Sequence, residues 1–264
     1  MKITFKSKIS EGVRPIEVSS ELLNHLNYLM RIRVNEYFTR IKELVEKDPS
    51  LAEKTAVVLN KIARDLKVNL LKRPLKFQNV RGEEATLHNF TISVDEGDEE
   101  PSGEVDKGRV INTLRLFLPD VPLGDYNDES LELKDSYKHF LELVLKHEAR
   151  HLTDIYSMEG YADPEEEPHR YLSQNVELRV FMGDFHDMLK DYLEDLDFQD
   201  LEKIKNEGLF RHMIRMNFVL DDINLSFKDF LYSISKDKKP YKQSKKVLKP
   251  LAILFSQFYH QNSP

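Results

Sequence analysis

Between Glu21 and Lys47 apolar residues return every three or four positions: Leu22, Leu26, Leu29, Met30, Val34, Tyr37, Phe38, Ile41, Leu44 and Val45. That period predicts a long amphipathic helix, with Ser19 or Ser20 as its N-cap. Asp48-Pro49 interrupts the run and offers a fresh cap with proline in the first turn. A second helix is therefore expected over Ser50 to Lys72, packed on the first as a hairpin. From Pro74 the pattern shortens to alternation. Leu75 to Val80, Ala85 to Val94 and Arg109 to Leu118 read as strands, as does Met1 to Phe5. Asp95 to Gly108 (DEGDEEPSGEVDKG) is acidic, contains Gly and Pro, and reads as a solvated hairpin loop. Its carboxylates do not follow EF-hand spacing.

Pro119 closes the β section, and a polar turn follows over Leu123 to Asp128. The helical period returns over Leu133 to Ser157, Tyr171 to Leu193, Leu201 to Val219 and Ser244 to His260. The basic stretch Lys236 to Lys246 reads as a solvated connection. Helices, then a small sheet, then helices predict an α+β fold that is mostly helical. Three segments follow: 1–73, a strand and helical hairpin; 74–195, the central segment; and 196–264, a helical region, all packed as one unit.

Charge narrows the partners. The chain has 264 residues, 46 acidic and 39 basic, for a net charge of −7. The basic excess of a nucleic-acid binder is absent. With no cysteine, disulfides and thiolate metal ligands are excluded. No apolar run reaches the length of a membrane span, and Met1 to Ser10 lacks the apolar stretch of a signal peptide. The expectation is a soluble, cytoplasmic protein with neither nucleic-acid nor membrane partners and an oligomeric state left open.

One stretch carries chemistry. His147-Glu148-Ala149-Arg150-His151 matches H-E-x-x-H. Residues four apart on a helix differ by roughly 40° in direction and about 6 Å in height, so two imidazoles can reach one metal from one face. Glu148 projects in a neighbouring direction, where it can meet a water without ligating the metal. Leu141, Val144, Leu152 and Ile155 form an apolar arc that includes Glu148 and His151, with His147 at its margin beside Phe140. Glu142, Lys146, Ala149 and Thr153 fall on the opposite side. Two core histidines satisfied by carbonyls, with an ion-paired glutamate, would fit the same pattern without a metal.

A zinc site usually takes three protein ligands. Asp154, one turn after His151, cannot surround a metal from the same straight helix and suits an acceptor that orients a ligand histidine. The metzincin pattern would need Gly and His where Asp154 and Ser157 stand. On the next helix Val176, Val180, Phe181, Phe185 and Met188 define an apolar face with Glu177 inside it, which makes Glu177 the first candidate for third ligand. A buried ion pair with an arginine is the competing explanation. His169 and the Glu165 to Glu167 run are rival ligands. Asp184 could orient a ligand, and His186 reads as a surface residue.

HEARHLTDIY followed by HRYLSQNVELRVF resembles the catalytic segment of gluzincin-like zinc metallopeptidases, including phage-type ones, over about forty residues. The resemblance implies a zincin-like catalytic core that binds Zn2+ through His147, His151 and Glu177, with Glu148 as catalytic base. It also implies hydrolysis of a polypeptide substrate. One departure stands: Glu177 lies in N-V-E-L-R rather than in N-E-x-x-x-[DE]. Tyr161, His169, Arg170 and Tyr171 are candidates to steady the oxyanion. The strand Arg109 to Leu118 is expected at the sheet edge over the cleft, where an extended peptide could add to it. A structural or interaction protein that keeps the zinc site without turnover is the alternative.

Overall fold

The computed structural model describes residues 17–53, 68–79, 81–95, 102–107, 111–119, 134–154, 175–220, 224–236 and 240–263. The fold is α+β and mostly helical, with small sheets. The described residues group into two compact units, one covering 18–154 and the other taking in those from Asn175 onward.

In the first unit, helix α1 (Ser20–Lys47) starts where expected, with Ser19 Oγ accepting from the Leu22 amide at 3.3 Å. Its buried residues, Leu22, Leu26, Met30, Val34, Tyr37, Phe38 and Ile41, keep the three- and four-residue spacing of the sequence. Asp48 ends it, and its carboxylate accepts from the Ser50 amide at 3.1 Å. A short 3-10 turn, Pro49–Glu53, follows. Most of the expected second helix lies outside the described residues. Its last positions, 68–72, are bends rather than helix. The reason is local: the Asn69 side chain accepts from the Leu71 and Phe90 amides, and the Leu70 amide donates to Phe90 O. Those bonds give the backbone an alternative to the helix.

The expected strand 85–94 is split. β1 (Leu75–Gln78) and β2 (Glu84–Leu87) form an antiparallel hairpin, turned at Gly82 with φ +76°. His88 separates β2 from β3 (Asn89–Asp95), and its amide and ring bond to Asn112. A three-stranded sheet joins β3, β4 (Ser102–Lys107) and β5 (Asn112–Pro119) in the order β3-β5-β4. β3 runs parallel to β5, and β4 runs antiparallel to it. This corrects two expectations. The acidic 95–108 stretch contains a strand, because Val105 reaches the core and Glu104 pairs with Arg115 on the other face. The strand expected at the edge, β5, is central, and among the described residues β3 and β4 are the outer strands. Phe90, Ile92, Leu114, Leu116, Leu118 and Val105 share the buried face.

Helix α2 (Asp135–Thr153) packs on that face over β4 and β5, and also contacts α1. Arg31 pairs with Glu142 across the two helices.

The second unit holds α3 (Asn175–Glu194), α4 (Phe198–Glu207), α5 (Leu209–Arg215), the hairpin β6 (Val219–Leu220) and β7 (Leu225–Ser226), α6 (Phe227–Lys236) and α7 (Pro240–Asn262). The single helix expected over 201–219 is broken at Gly208, whose φ of +95° no helix accommodates, and ends before Asn217 with φ 51°. Most of the basic stretch expected as a connection belongs to α7. The core gathers Phe181, Phe185, Phe227 and Phe230, with Phe185 ring centroids 5.2 Å from both Phe227 and Phe230.

A polar chain ties three of these helices together. Tyr192 OH lies 2.9 Å from His212 Nε2, and His212 Nδ1 lies 2.9 Å from Glu207 Oε2. Arg215 Nη2 also lies 2.9 Å from Nδ1, so the carboxylate and the guanidinium meet at one ring nitrogen. Burial pushes the Tyr192 phenol up. Hydrogen bonds from Arg215 and then His212 hold Glu207 at about 2, from an ordinary 4.5. A carboxylate with a lowered folded pKa contributes stability that is present above its unfolded pKa and lost as pH falls toward the folded value. Wild type should therefore lose stability more steeply than Glu207→Gln between about pH 5 and pH 2, as read by denaturant melts across that window. Parallel curves for the two proteins would refute this.

Candidate metal centre

α2 is built from strong helix formers over FLELVLKHEARHL and carries Asp135 in its first turn, where the helix dipole favours an acid. It stops at Asp154, whose backbone turns extended while its amide still donates to Arg150 O at 3.0 Å. Thr153 Oγ1 donates to the same carbonyl at 3.1 Å.

The apolar arc is real in the first half of the helix, where Leu141, Val144 and Leu145 are buried. The second half differs from expectation. Every residue from His147 to Asp154 is buried, including Ala149 and Thr153, which the periodicity put on the opposite side. The end of the helix is enclosed on all faces, so its polar groups cannot rely on bulk water.

Within it, His147 and His151 behave as a pair. Their Nε2 atoms are 3.2 Å apart, and the rings meet edge to face at 4.9 Å and 67°. Two nitrogens on one tetrahedral zinc would stand about 3.3 Å apart, given the usual Zn–N length. The Nε2 separation thus matches that of two nitrogens on one metal ion. Ligation through Nε2 requires the ring proton on Nδ1 in both. The same separation also suits one N–H···N hydrogen bond between complementary tautomers. Charges of both signs surround the pair, since the Arg150 guanidinium is buried on the same turns. Both imidazoles lie in the last two turns, where the carbonyl end of the helix dipole attracts positive charge. The buried carboxylates of Glu148 and Asp154 on the same turns do so as well.

Glu148 is buried between the two histidines in sequence, at 7% exposure. It faces Gly103 of β4, a residue that the sequence reading folded into a solvated loop. The alternation of Gly103 and Val105, one small and one apolar on the same face of SGEVDK, was the available signal.

Glu177 lies in the first turn of α3 and is fully buried, among Leu178, Val180, Phe181 and Met182. A carboxylate in a first turn gains from the helix dipole, which offsets only part of the cost of burying it. Asp184 is partly exposed. His186 is partly exposed rather than on the open surface, with Asp187 at 3.7 Å. His169, the Glu165 to Glu167 run, Tyr161, Arg170 and Tyr171 lie outside the described residues. No helix among the described residues is long and apolar enough to cross a membrane.

Comparisons with protein families, curated proteins and solved structures found no match to this chain. The site is therefore judged on its own chemistry.

Wild type should take up one divalent transition metal per chain in calorimetric titration. His147→Ala and His151→Ala should each weaken that affinity at least tenfold. Background-level uptake by wild type, or uptake unaffected by both substitutions, would favour the imidazole–imidazole hydrogen bond.

Proposed function

We propose that the protein is a zinc-dependent peptide hydrolase in which His147, His151 and Glu177 hold the metal and Glu148 is the general base. The observation that carries this reading is the buried, convergent Nε2 pair at 3.2 Å with Glu148 on the same helix turn. Glu177 joins the set by chemistry. Two imidazoles and a carboxylate, all buried, form a recognised donor combination for catalytic zinc. Bound zinc would acidify a water and polarise the scissile carbonyl. Glu148 would accept the water's proton and pass it to the leaving amine.

The sheet supports a polypeptide substrate. β4 pairs with β5 on one side, and among the described residues no strand pairs with its other edge. An extended polypeptide added there would gain backbone hydrogen bonds and would run beside Gly103, hence beside Glu148. The edge assigned from sequence to Arg109–Leu118 thus passes to β4. The cysteine-free sequence suits a reducing compartment such as the cytoplasm.

A second reading has an observation in its favour. Structural zinc sites are closed and catalytic ones keep an open position, and His147, Glu148 and His151 are only 5%, 7% and 3% exposed. On that reading zinc supports a folded interaction protein without turnover.

Two experiments decide. Glu148→Gln should keep zinc and fold while losing peptide hydrolysis by ~10²- to 10⁴-fold, because glutamine keeps the shape but cannot take the proton. Cleavage of a peptide library is compared at matched zinc occupancy. Equal rates would remove Glu148 as base, and no cleavage by either protein would favour the structural reading. Separately, Glu177→Ala should lower zinc affinity more than His169→Ala, and the reverse order would transfer the third-ligand role to His169.

A further inference from the structure

The glycines of this chain serve different ends. Gly82 and Gly208 have positive φ and nothing within 4 Å of the place a Cβ would occupy, so they serve the backbone. Gly103 has an ordinary strand conformation, and what it provides is space. A Cβ there would stand 2.5 Å from Glu148 Cγ, 3.2 Å from Glu148 Cδ and 3.1 Å from Val144 Cγ1. Optimal carbon contacts lie near 3.5–4.0 Å, so the first of these cannot be borne without movement.

The atom struck decides what must move. The position of Cγ is set by χ1 alone, and a helical residue has few χ1 wells to choose from. A methyl group at position 103 would drive Glu148 into another well and swing its carboxylate away, or would push β4 off α2. Glycine weakens a strand interior, and Gly103 lies on the buried face of β4, paired with Leu116, where an apolar side chain would otherwise fill space as Val105 does.

We propose that Gly103 is a positioning residue for Glu148. The bare backbone of β4 forms the wall against which the Glu148 side chain keeps its rotamer. Gly103 and Glu148 belong to one compact unit. The catalytic consequence rests on the proposed role of Glu148 as base.

The test is a double-mutant cycle on the full chain: wild type, Gly103→Ala, Glu148→Ala and the double variant. Melting temperature, zinc uptake by calorimetry, and kcat and KM on a cleaved peptide are the readouts. Gly103→Ala should lower the melting temperature by several degrees in wild type. It should cost clearly less once Glu148→Ala has removed Cγ and Cδ, the remaining cost being the 3.1 Å approach to Val144 Cγ1. An equal drop in both backgrounds overturns the proposal. If Gly103→Ala alone fails to fold, recovery of folding in the double variant supports the proposal and continued failure overturns it. For the folded Gly103→Ala protein, kcat should fall at least tenfold, with KM within twofold and zinc uptake unchanged, a split that general loosening of the fold would not give. A wild-type kcat overturns the positioning role. Coupling in the melts with no hydrolysis by any of the four proteins supports Gly103 as the wall and removes the catalytic reading instead.

Discussion

The close packing of α2 on β4 governs the geometry of His147, Glu148 and His151. Two contacts fix α2. Near its start Glu142 pairs with Arg31 of α1, but both side chains are substantially exposed, and such pairs contribute about 0–1 kcal/mol. Along its length Leu141, Val144, Leu145 and Leu152 are buried, each contributing roughly 1.5–3 kcal/mol. Packing therefore sets the position of the helix, and the ion pair trims it. Because His147, Glu148 and His151 share one rigid helix, whatever seats the helix on the sheet seats all three.

That seating has a cost, and the cost carries information. Two imidazoles, two carboxylates and the Arg150 guanidinium are enclosed within eight residues. Burying ionisable groups is unfavourable unless they meet charge or hydrogen-bond partners. The enclosed groups carry both signs of charge, so they offset one another in part, and on either proposed reading a bound cation would add to that balance. The helix terminus assists, since its carbonyl end favours both Arg150 and a cation beside the histidines. The catalytic and structural readings share this electrostatic logic and differ only in whether water and substrate can reach Glu148.

How much of this the sequence shows depends on the range of the interaction. α1 is legible almost to the residue, because Ser19 is a local cap and the apolar spacing a local period. The H-E-x-x-H pair is legible for the same reason, since the 3.2 Å meeting of Nε2 atoms follows from residues four apart on a helix. Failures occur where distant contacts decide. The 95–108 stretch looks like a loop by composition, yet β5 recruits Ser102–Lys107 as a strand through its backbone, which composition does not report. Ala149 and Thr153 look solvent-facing by period and are buried, because enclosure of a helix end is a property of its surroundings. Some misses were avoidable. Gly208 was a plain breaker inside the helix expected over 201–219, and Phe227, Phe230, Leu231 and Ile234 carry the period that makes α6.

Sheet order then explains how such distant residues become one site. β5 is hydrogen-bonded on both sides, to β3 in parallel and to β4 in antiparallel register. Asp95 and Ser102 lie at the same end of the sheet, against Pro119 and Phe117, so β5 inserts between two strands that precede it in the chain. The β4 edge cannot form until β5 is in place, and Glu148 has no wall until β4 is formed. The chemistry of α2 is thus conditional on contacts that close loops of tens of residues, which form against chain entropy and slowly. Disturbing Leu114 or Leu116, which sit opposite Val105 and Gly103, acts on Glu148 through the strand between them. The β1–β2 hairpin belongs to a separate sheet and meets β5 at Asn112, whose side chain donates to Thr86 O. The setting of His147, Glu148 and His151 is therefore a property of the three-stranded sheet and α2 together, rather than of a five-residue motif.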